Sequence, residues 1–336
     1  MSRHTPSGLS KGKIQHIVII VKENHTFDNY SGTFPNADGF QMPRSPNPPP
    51  RDPDHRHSAW LTRDKTSVRQ QFVQADLPAY FEYAKLFTLC DHFFTEVAGP
   101  STPNHLMLIG ADSPLIDNPK PGDPSRLNTS LPLSLEKQQL TWANYGGYAF
   151  QYLNGIQGIR KHASDQFKMD AGEGKLPNIS WLYAPSQYDE HPPDRQRAGP
   201  MGNVTTGMQW TVDQVNALVK GGLWPTSVVF ITWDDWGGWY DHVSPPNVET
   251  WMRLDPQPSY KGTQFRYGSR VGCIVMSPYA NQGYISKMLH SHVSVVKFCE
   301  SVFNLSPLNN RDRNADEMSD CFDFNQKPAL PPPATP

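Results

Sequence analysis

The sequence predicts an α/β protein with a central, mainly parallel sheet sandwiched by helices. Two observations carry the prediction. Residues 17–21 (IVIIV), Ser227–Trp233 (SVVFITW) and residues 270–277 (RVGCIVMS) are apolar runs rich in β-branched residues, with no polar alternation. Strands covered on both faces read this way. Between and after these runs lie segments with helical caps and helical apolar spacing, which argues for crossover connections.

Taken in order, residues 17–21 predict the first central strand, and residues 36–58 a proline-rich loop. Residues 76–90 (DLPAYFEYAKLFTLC) predict a helix opened by Asp76, with Pro78 in its first turn, where a missing N–H is harmless. Residues 104–111 (NHLMLIGA) are an apolar element behind the breaker cluster GPSTP. Residues 130–140 predict a second helix and residues 142–148 a strand that runs into a glycine turn. In residues 211–220, Val212, Val215, Leu218 and Val219 share one helical face, and Gly221 and Gly222 stop it. Residues 291–303 predict a helix with Ser291 as N-cap. From Lys327 the chain is proline-rich, predicted to be extended or disordered. The expected organisation is one domain over residues 14–325 and a tail over 326–336.

Composition narrows the function classes. The 336 residues carry a net charge of −2, so there is no basic footprint for nucleic acid and no polybasic segment for anionic lipid. Prolines number 33, about twice average use, which implies many stiff loops. The four cysteines are widely spaced with no CxxC pair, which favours buried thiols over a zinc knuckle or a disulfide framework. The apolar run at 17–21 is too short for a signal core or a membrane span. The chain is therefore expected in the cytoplasm, or exported by a leader not in this sequence, with no transmembrane segment. Five N-x-S/T sequons, at Asn24, Asn128, Asn178, Asn203 and Asn304, are weak evidence of export. No GxxxxGK[ST], GxGxxG or GxSxG motif is present, which argues against an NTPase, a nucleotide-linked dehydrogenase and an α/β-hydrolase.

Two apolar strands end in polar clusters, Glu23-Asn24-His25 and Asp234-Asp235. In parallel sheets the ligand site lies beyond the carboxyl ends of the strands. Adjacent carboxylates repel unless a cation or proton intervenes. Asp234 and Asp235 are ringed by Trp233, Trp236, Trp239 and Tyr240, which is unlike an ordinary solvated loop, and Gly237-Gly238 allow close backbone approach. Hard oxygen ligands from both clusters predict one shared divalent metal. Ca²⁺, Mg²⁺ and Mn²⁺ suit such a set; Zn²⁺ suits it if a histidine joins. Between two prolines, Ser101 and Thr102 present a rigid hydroxyl that a metal can activate; turn chemistry alone favours an N-cap. Seven of the twelve histidines lie in polar, turn-rich contexts: His25, His55, His57, His105, His191, His242 and His292. Acidic neighbours single out His191 and His242.

The chain resembles the bacterial and fungal phosphoesterases that include phosphatidylcholine-type phospholipases C and a metal-dependent acid phosphatase. The resemblance runs from Ile14 to about Phe324. It rests on HIVIIVKENHTFDNYSGTFP, DPDH, FTEVAGPSTPNHLMLIGA, LPNISWLYAP with DEHPP, ITWDDWGGWYDHVSPP, RVGCIVMSPYA and SHVSVVKFCE, in family order. It implies an alkaline-phosphatase-like fold and hydrolysis of phosphate esters through a phosphoserine. By resemblance, Glu23, Asn24, Asp234, Asp235 and Ser101 are metal ligands and Ser101, not Thr102, is the nucleophile. His55 (with His57 competing), His191, His242 and His292 are the catalytic imidazoles. A small phosphate ester and a phospholipid are both open as substrate. The Asp234-Asp235-Trp236 sequence is closer to the phosphatase form than to the Asp-Glu form of many phospholipases. A catalytically inactive phosphate or glycan binder on the same fold is the alternative. The sequence sets no oligomeric state.

Overall fold

The structure is a computed structural model that describes residues 9–157, 161–194, 200–246 and 267–334. Ten strands are described: β1 (His16–Lys22), β2 (Thr88–Cys90), β3 (Phe93–Phe94), β4 (Trp142–Tyr145), β5 (Lys161–His162), β6 (Ile179–Tyr183), β7 (Ser227–Trp233), β8 (Cys273–Met276), β9 (Tyr284–Ser286) and β10 (His290–Ser291). Eight of them form one sheet in the order β5-β4-β6-β1-β7-β8-β2-β9. Every pairing in it is parallel except those of β8, which runs antiparallel to β7 and β2. This is the mainly parallel α/β sheet that the sequence predicts. β3 and β10 pair separately.

The helices are α1 (Phe27–Ser31), α2 (His57–Trp60), α3 (Arg63–Thr66), α4 (Pro78–Leu86), α5 (Ser101–Gly110), α6 (Leu131–Lys137), α7 (Ser164–Gly172), α8 (Val204–Lys220), α9 (His292–Phe303) and α10 (Asn310–Arg313). They cover both faces of the sheet's centre. Ile17 to Val21 of β1 are at most 1% exposed, which explains their unbroken apolar run.

Several boundaries differ from the sequence reading. The helix expected over residues 76–90 stops at Leu86, and Thr88–Cys90 is β2. Pairing with β8 and β9 on both sides outweighs the weak helical preference there. The apolar element at 104–111 is helical and begins earlier, at Ser101. Helix α8 begins at Val204, where the Asn203 side chain accepts from Thr206 N at 2.9 Å. The strand over 270–277 narrows to β8. LPNISWLYAP contains a further strand, β6. Ser291 caps α9 as expected, and its N–H donates to Ser294 Oγ at 3.0 Å. The tail, through residue 334, is extended and docked: Ala329 N donates to Pro278 O at 2.7 Å and Trp224 Nε1 to Ala329 O at 3.0 Å.

Candidate active site

Parallel register places the first two clusters together. Lys22 of β1 pairs with Trp233 of β7, so Glu23 and Asp234 leave the sheet side by side. Asp234 N donates to Lys22 O at 3.0 Å, and Asn24 N donates to Asp234 Oδ1 at 3.0 Å. Asn24 adopts φ +63°, a left-handed conformation that Asn tolerates better than most residues. This turn swings its amide back over the strand ends.

Ser101 is the first residue of α5, behind Pro100. Its Oγ donates to Asp235 Oδ2 at 3.0 Å and faces Asn24 Oδ1 at 3.4 Å. The Thr102 hydroxyl is elsewhere, 2.9 Å from Tyr148 Oη. Position 101 also sits at the positive end of the helix dipole, which favours an anionic oxygen. One turn on, His105 faces the same way. Its Nε2 is 3.3 Å from Asp234 Oδ2 and 3.5 Å from Glu23 Oε1. In the sequence, His105 is one of seven candidate histidines with nothing local to set it apart. The i, i+4 spacing from Ser101 is the signal that points to it.

Loop Asp235–Trp239 joins the parts. Asp235 Oδ1 accepts from Gly237 N at 2.7 Å. Gly237 has φ +56°, and a Cβ there would meet Asn24 O at 2.1 Å; one on Gly238 would meet Pro53 Cβ at 2.6 Å. The close approach expected of these glycines is thus toward Asn24 and the 53–54 loop. Trp236 Nε1 donates to His55 O at 2.8 Å. Both Trp236 and Trp239 are buried, so they brace the site rather than form its lip.

His55 and His191 complete one side. His55 Nδ1 lies 2.8 Å from Pro53 O, and its Nε2 is 3.4 Å from Asn24 Nδ2. His191 Nδ1 lies 2.7 Å from Pro192 O. The two rings are 6.0 Å apart. Behind His191, the buried Glu190 carboxylate pairs with Lys22 Nζ at 3.1 Å and accepts from Tyr80 Oη (2.7 Å), Tyr30 Oη (2.9 Å) and Trp233 Nε1 (3.2 Å). This network locks the loop after β6 onto β1. A cleft of about 760 Å³ opens over Ser101, lined by His55, His191, Tyr148, Tyr152 and the charged Asp52, Asp54, Arg56 and Asp194.

The structure does not bring His242 or His292 to this cleft. His292 is fully buried behind β7, where Nε2 lies 2.9 Å from Trp233 O, and burial pulls it down to about 3. His242 lies 2.7 Å from Asp28 Oδ2 in a cluster whose acids Asp28 and Asp241 are paired with Arg270 at 3.0 Å each. His25 is buried between Asn29 Oδ1 (2.6 Å) and Glu190 O (3.0 Å). His57 Nδ1 lies 2.6 Å from Ala98 O.

The electrostatics fit a cation. Burial first, then repulsion from Glu23, pushes Asp234 up to about 6. Burial and then Asp234 push Asp235 up strongly. Burial opposes charge on His55, but Asp235 and Asp52 outweigh it and lift it to about 9. Among the described residues no lysine or arginine is ion-paired to Asp234 or Asp235, in contrast to the Arg270 cluster. Asp234 Oδ2 lies 3.3 Å from His105 Nε2. Buried carboxylates of this kind are stable when a divalent ion shares them. Glu23, Asn24, Asp234, Asp235 and Ser101 offer oxygens to it, and His105 a nitrogen.

Fold and site together define an alkaline-phosphatase-like α/β protein with a hydroxyl set against a candidate metal site. The Phosphoesterase family matches residues 14–52 and 53–306, and the chain belongs to it. The chain is similar to the non-hemolytic phospholipase C of Pseudomonas aeruginosa, at 23% identity over 93% of this chain and 57% of that protein. It is also similar to phospholipase C B of Mycobacterium tuberculosis (25%; 94% and 78%) and non-specific phospholipase C6 of Arabidopsis thaliana (25%; 80% and 56%). It thus spans 57% of the first of these, a little over half. Among solved structures, PsFucS1 sulfatase from Pseudoalteromonas sp. superposes with TM-score 0.54 at 10% identity, covering 95% of this chain and 74% of that one. Human ectonucleotide pyrophosphatase / phosphodiesterase 5 gives 0.52 at 9%, covering 92% and 100%. At these identities the likeness is one of fold.

Proposed function

We propose that the protein is a metal-dependent hydrolase of phosphate esters that works through a phosphoserine on Ser101. The observation that carries this is the Ser101 hydroxyl, 3.0 Å from Asp235 Oδ2, on the floor of a cleft where buried carboxylates converge. When bound by Glu23, Asn24, Asp234 and Asp235, a divalent ion supplies charge neutralisation and a lowered pKa for an oxygen beside it. Ser101 Oγ, passing its proton to Asp235 Oδ2, which accepts from it at 3.0 Å, attacks phosphorus in line as the ester P–O bond breaks. His55 and His191 hydrogen-bond the phosphoryl oxygens and deliver a proton to the departing alcohol. Water, losing a proton to the histidine that protonated the alcohol, then attacks phosphorus; Ser101 leaves with a proton from Asp235, and phosphate (from a monoester) or a phosphomonoester (from a diester) departs.

A phosphatase-type and a phospholipase C-type substrate share this core. The charged lining from Asp52, Asp54, Arg56 and Asp194 favours a small polar ester in the cleft. The names of the similar proteins favour the phospholipid headgroup ester. The test is hydrolysis of p-nitrophenyl phosphate, p-nitrophenyl phosphorylcholine and bis-p-nitrophenyl phosphate, each with and without added divalent metal. Turnover of the monoester alone assigns a phosphatase; turnover of the phosphorylcholine ester assigns the phospholipase type. No turnover of any, with metal present, overturns the enzyme reading in favour of an inactive binder. Metal analysis checks the ligand set: Asp235→Asn is expected to lose the active-site ion, and full occupancy would remove Asp235 from it.

A further inference from the structure

We propose that Cys90, Cys321, His290 and Asp320 form a second metal site, structural in role, for a thiophilic divalent ion of the zinc type. Cys90 ends β2, His290 lies in β10, and Asp320 and Cys321 lie in the 3₁₀ turn Ser319–Cys321. Cys90, His290 and Cys321 are fully buried, and their donor atoms lie within 4.8 Å of one another. None of the four belongs to the cleft over Ser101.

Four of the donor edges are close to tetrahedral dimensions. Cys90 Sγ and Cys321 Sγ are 3.6 Å apart, and Cys321 Sγ is 3.9 Å from His290 Nε2 and 3.8 Å from Asp320 Oδ1. His290 Nε2 and Asp320 Oδ1 are 3.3 Å apart. Tetrahedral zinc with ordinary bond lengths has S···S edges of about 3.8 Å, S···N and S···O edges of about 3.6 Å and N···O edges of about 3.4 Å. Two sulfurs, a nitrogen and a carboxylate oxygen are also a donor set such ions select.

The surroundings hold the donors in place. Asp316 Oδ1 lies 2.9 Å from His290 Nδ1, the carboxylate–histidine arrangement that directs the opposite nitrogen to a metal. Ser286 Oγ donates to Asp320 Oδ2 at 2.5 Å; its 2.9 Å contact with His290 Nε2 is one that an ion on Nε2 would replace. An ion here would tie β2, which lies between β8 and β9, to the approach to α9 and to the C-terminal segment, three pieces separated in sequence.

A Cys90–Cys321 disulfide is the competing occupant, since oxidation would consume both thiols. The test uses the full chain, stripped with a chelator and titrated with Co²⁺. A thiolate-to-cobalt charge-transfer band in the near ultraviolet is expected, displaced by Zn²⁺. The oxygen-rich active site has no thiolate to produce it, so failure of the catalytic reading leaves this readout intact. The band should vanish in Cys90→Ser and Cys321→Ser and persist in Cys299→Ser and Asp235→Asn. Zinc content should fall by about one equivalent per chain in Cys321→Ser. The absence of the band in wild-type protein with all four thiols titratable would overturn the proposal. A thiol count of two, with Cys90 and Cys321 linked, would overturn it equally.

Discussion

Asn24 touches three parts of the site at once: its N–H donates to Asp234, its Oδ1 faces Ser101 and its Nδ2 faces His55. Such a position leaves no room for a glycan, so the Asn24 sequon is coincidental. Ser101 and Thr102 are adjacent yet separated by helix geometry, and the separation makes a clean prediction. Ser101→Ala is expected to lower kcat by at least about 10³-fold while metal content holds. Thr102→Ala should stay within about tenfold, because its hydroxyl is spent on Tyr148. A comparison of kcat on the best substrate of the panel, with metal analysis of each variant, checks both. His105→Ala is expected to weaken metal affinity by about 10–100-fold, read by titration into stripped protein. Glu23, Asn24, Asp234 and Asp235 were legible because strand-end acids need no tertiary information to stand out. His105 was not, because the sequence shows no helix start at Ser101; without that start, the one-turn spacing is invisible. The burial of His292 behind Trp233 leaves no mark on its local sequence at all.

At the level of elements, one register decides the site: Lys22 beside Trp233. A slip of one residue would turn either cluster to the wrong face. The Trp236–Trp239 loop then clamps the aligned strand ends. Gly237→Ala places a Cβ against Asn24 O and forces φ +56° on a residue that disfavours it. Activity should fall by at least about tenfold with most of the thermal stability retained, since the strain is local to the cleft. Helix α9 carries a separate strain. Burial first, then Asp312, pushes Glu300 up to about 9. The folded state therefore binds this proton more tightly than the unfolded chain does. Stability from this group is full below the unfolded pKa of about 4.3 and drains as pH rises toward 9. Glu300→Gln removes the titration. Its melting temperature at pH 8 should exceed wild type by at least about 2 °C, with the gap closing at pH 5, as read by calorimetry. Equal gaps at both pH values would show that Glu300 is not the source.

For the whole molecule, the all-apolar strands gave the sheet away, but not its order. β6 beside β1 is what brings Asp189, Glu190 and His191 to the side of the candidate metal ligands, and in its ISWLY sequence a serine and a tryptophan, buried on opposite faces, interrupt the apolar run. For the tail, composition leaves extended and disordered both open, and the structure has it extended and docked. Proline-rich sequence reads as disorder because it forms no internal hydrogen bonds, yet a stiff extended chain loses little entropy when it docks. Residues 327–334 use that stiffness. They hydrogen-bond Pro278 through Ala329 N, Trp224 through Ala329 O and Asn216 through Ala334 O, on the side chain and backbone of three separate parts of the fold. None of the cleft-lining residues lies in or beside this segment. Truncation after Gln326 is therefore expected to cost about 1–3 kcal/mol and lower the melting temperature by several degrees. At 25 °C, kcat and KM on the best substrate should match the full chain. A truncated protein with unchanged melting temperature would mean that the tail only rests on the surface. One with normal stability and altered KM would mean that it reaches the substrate.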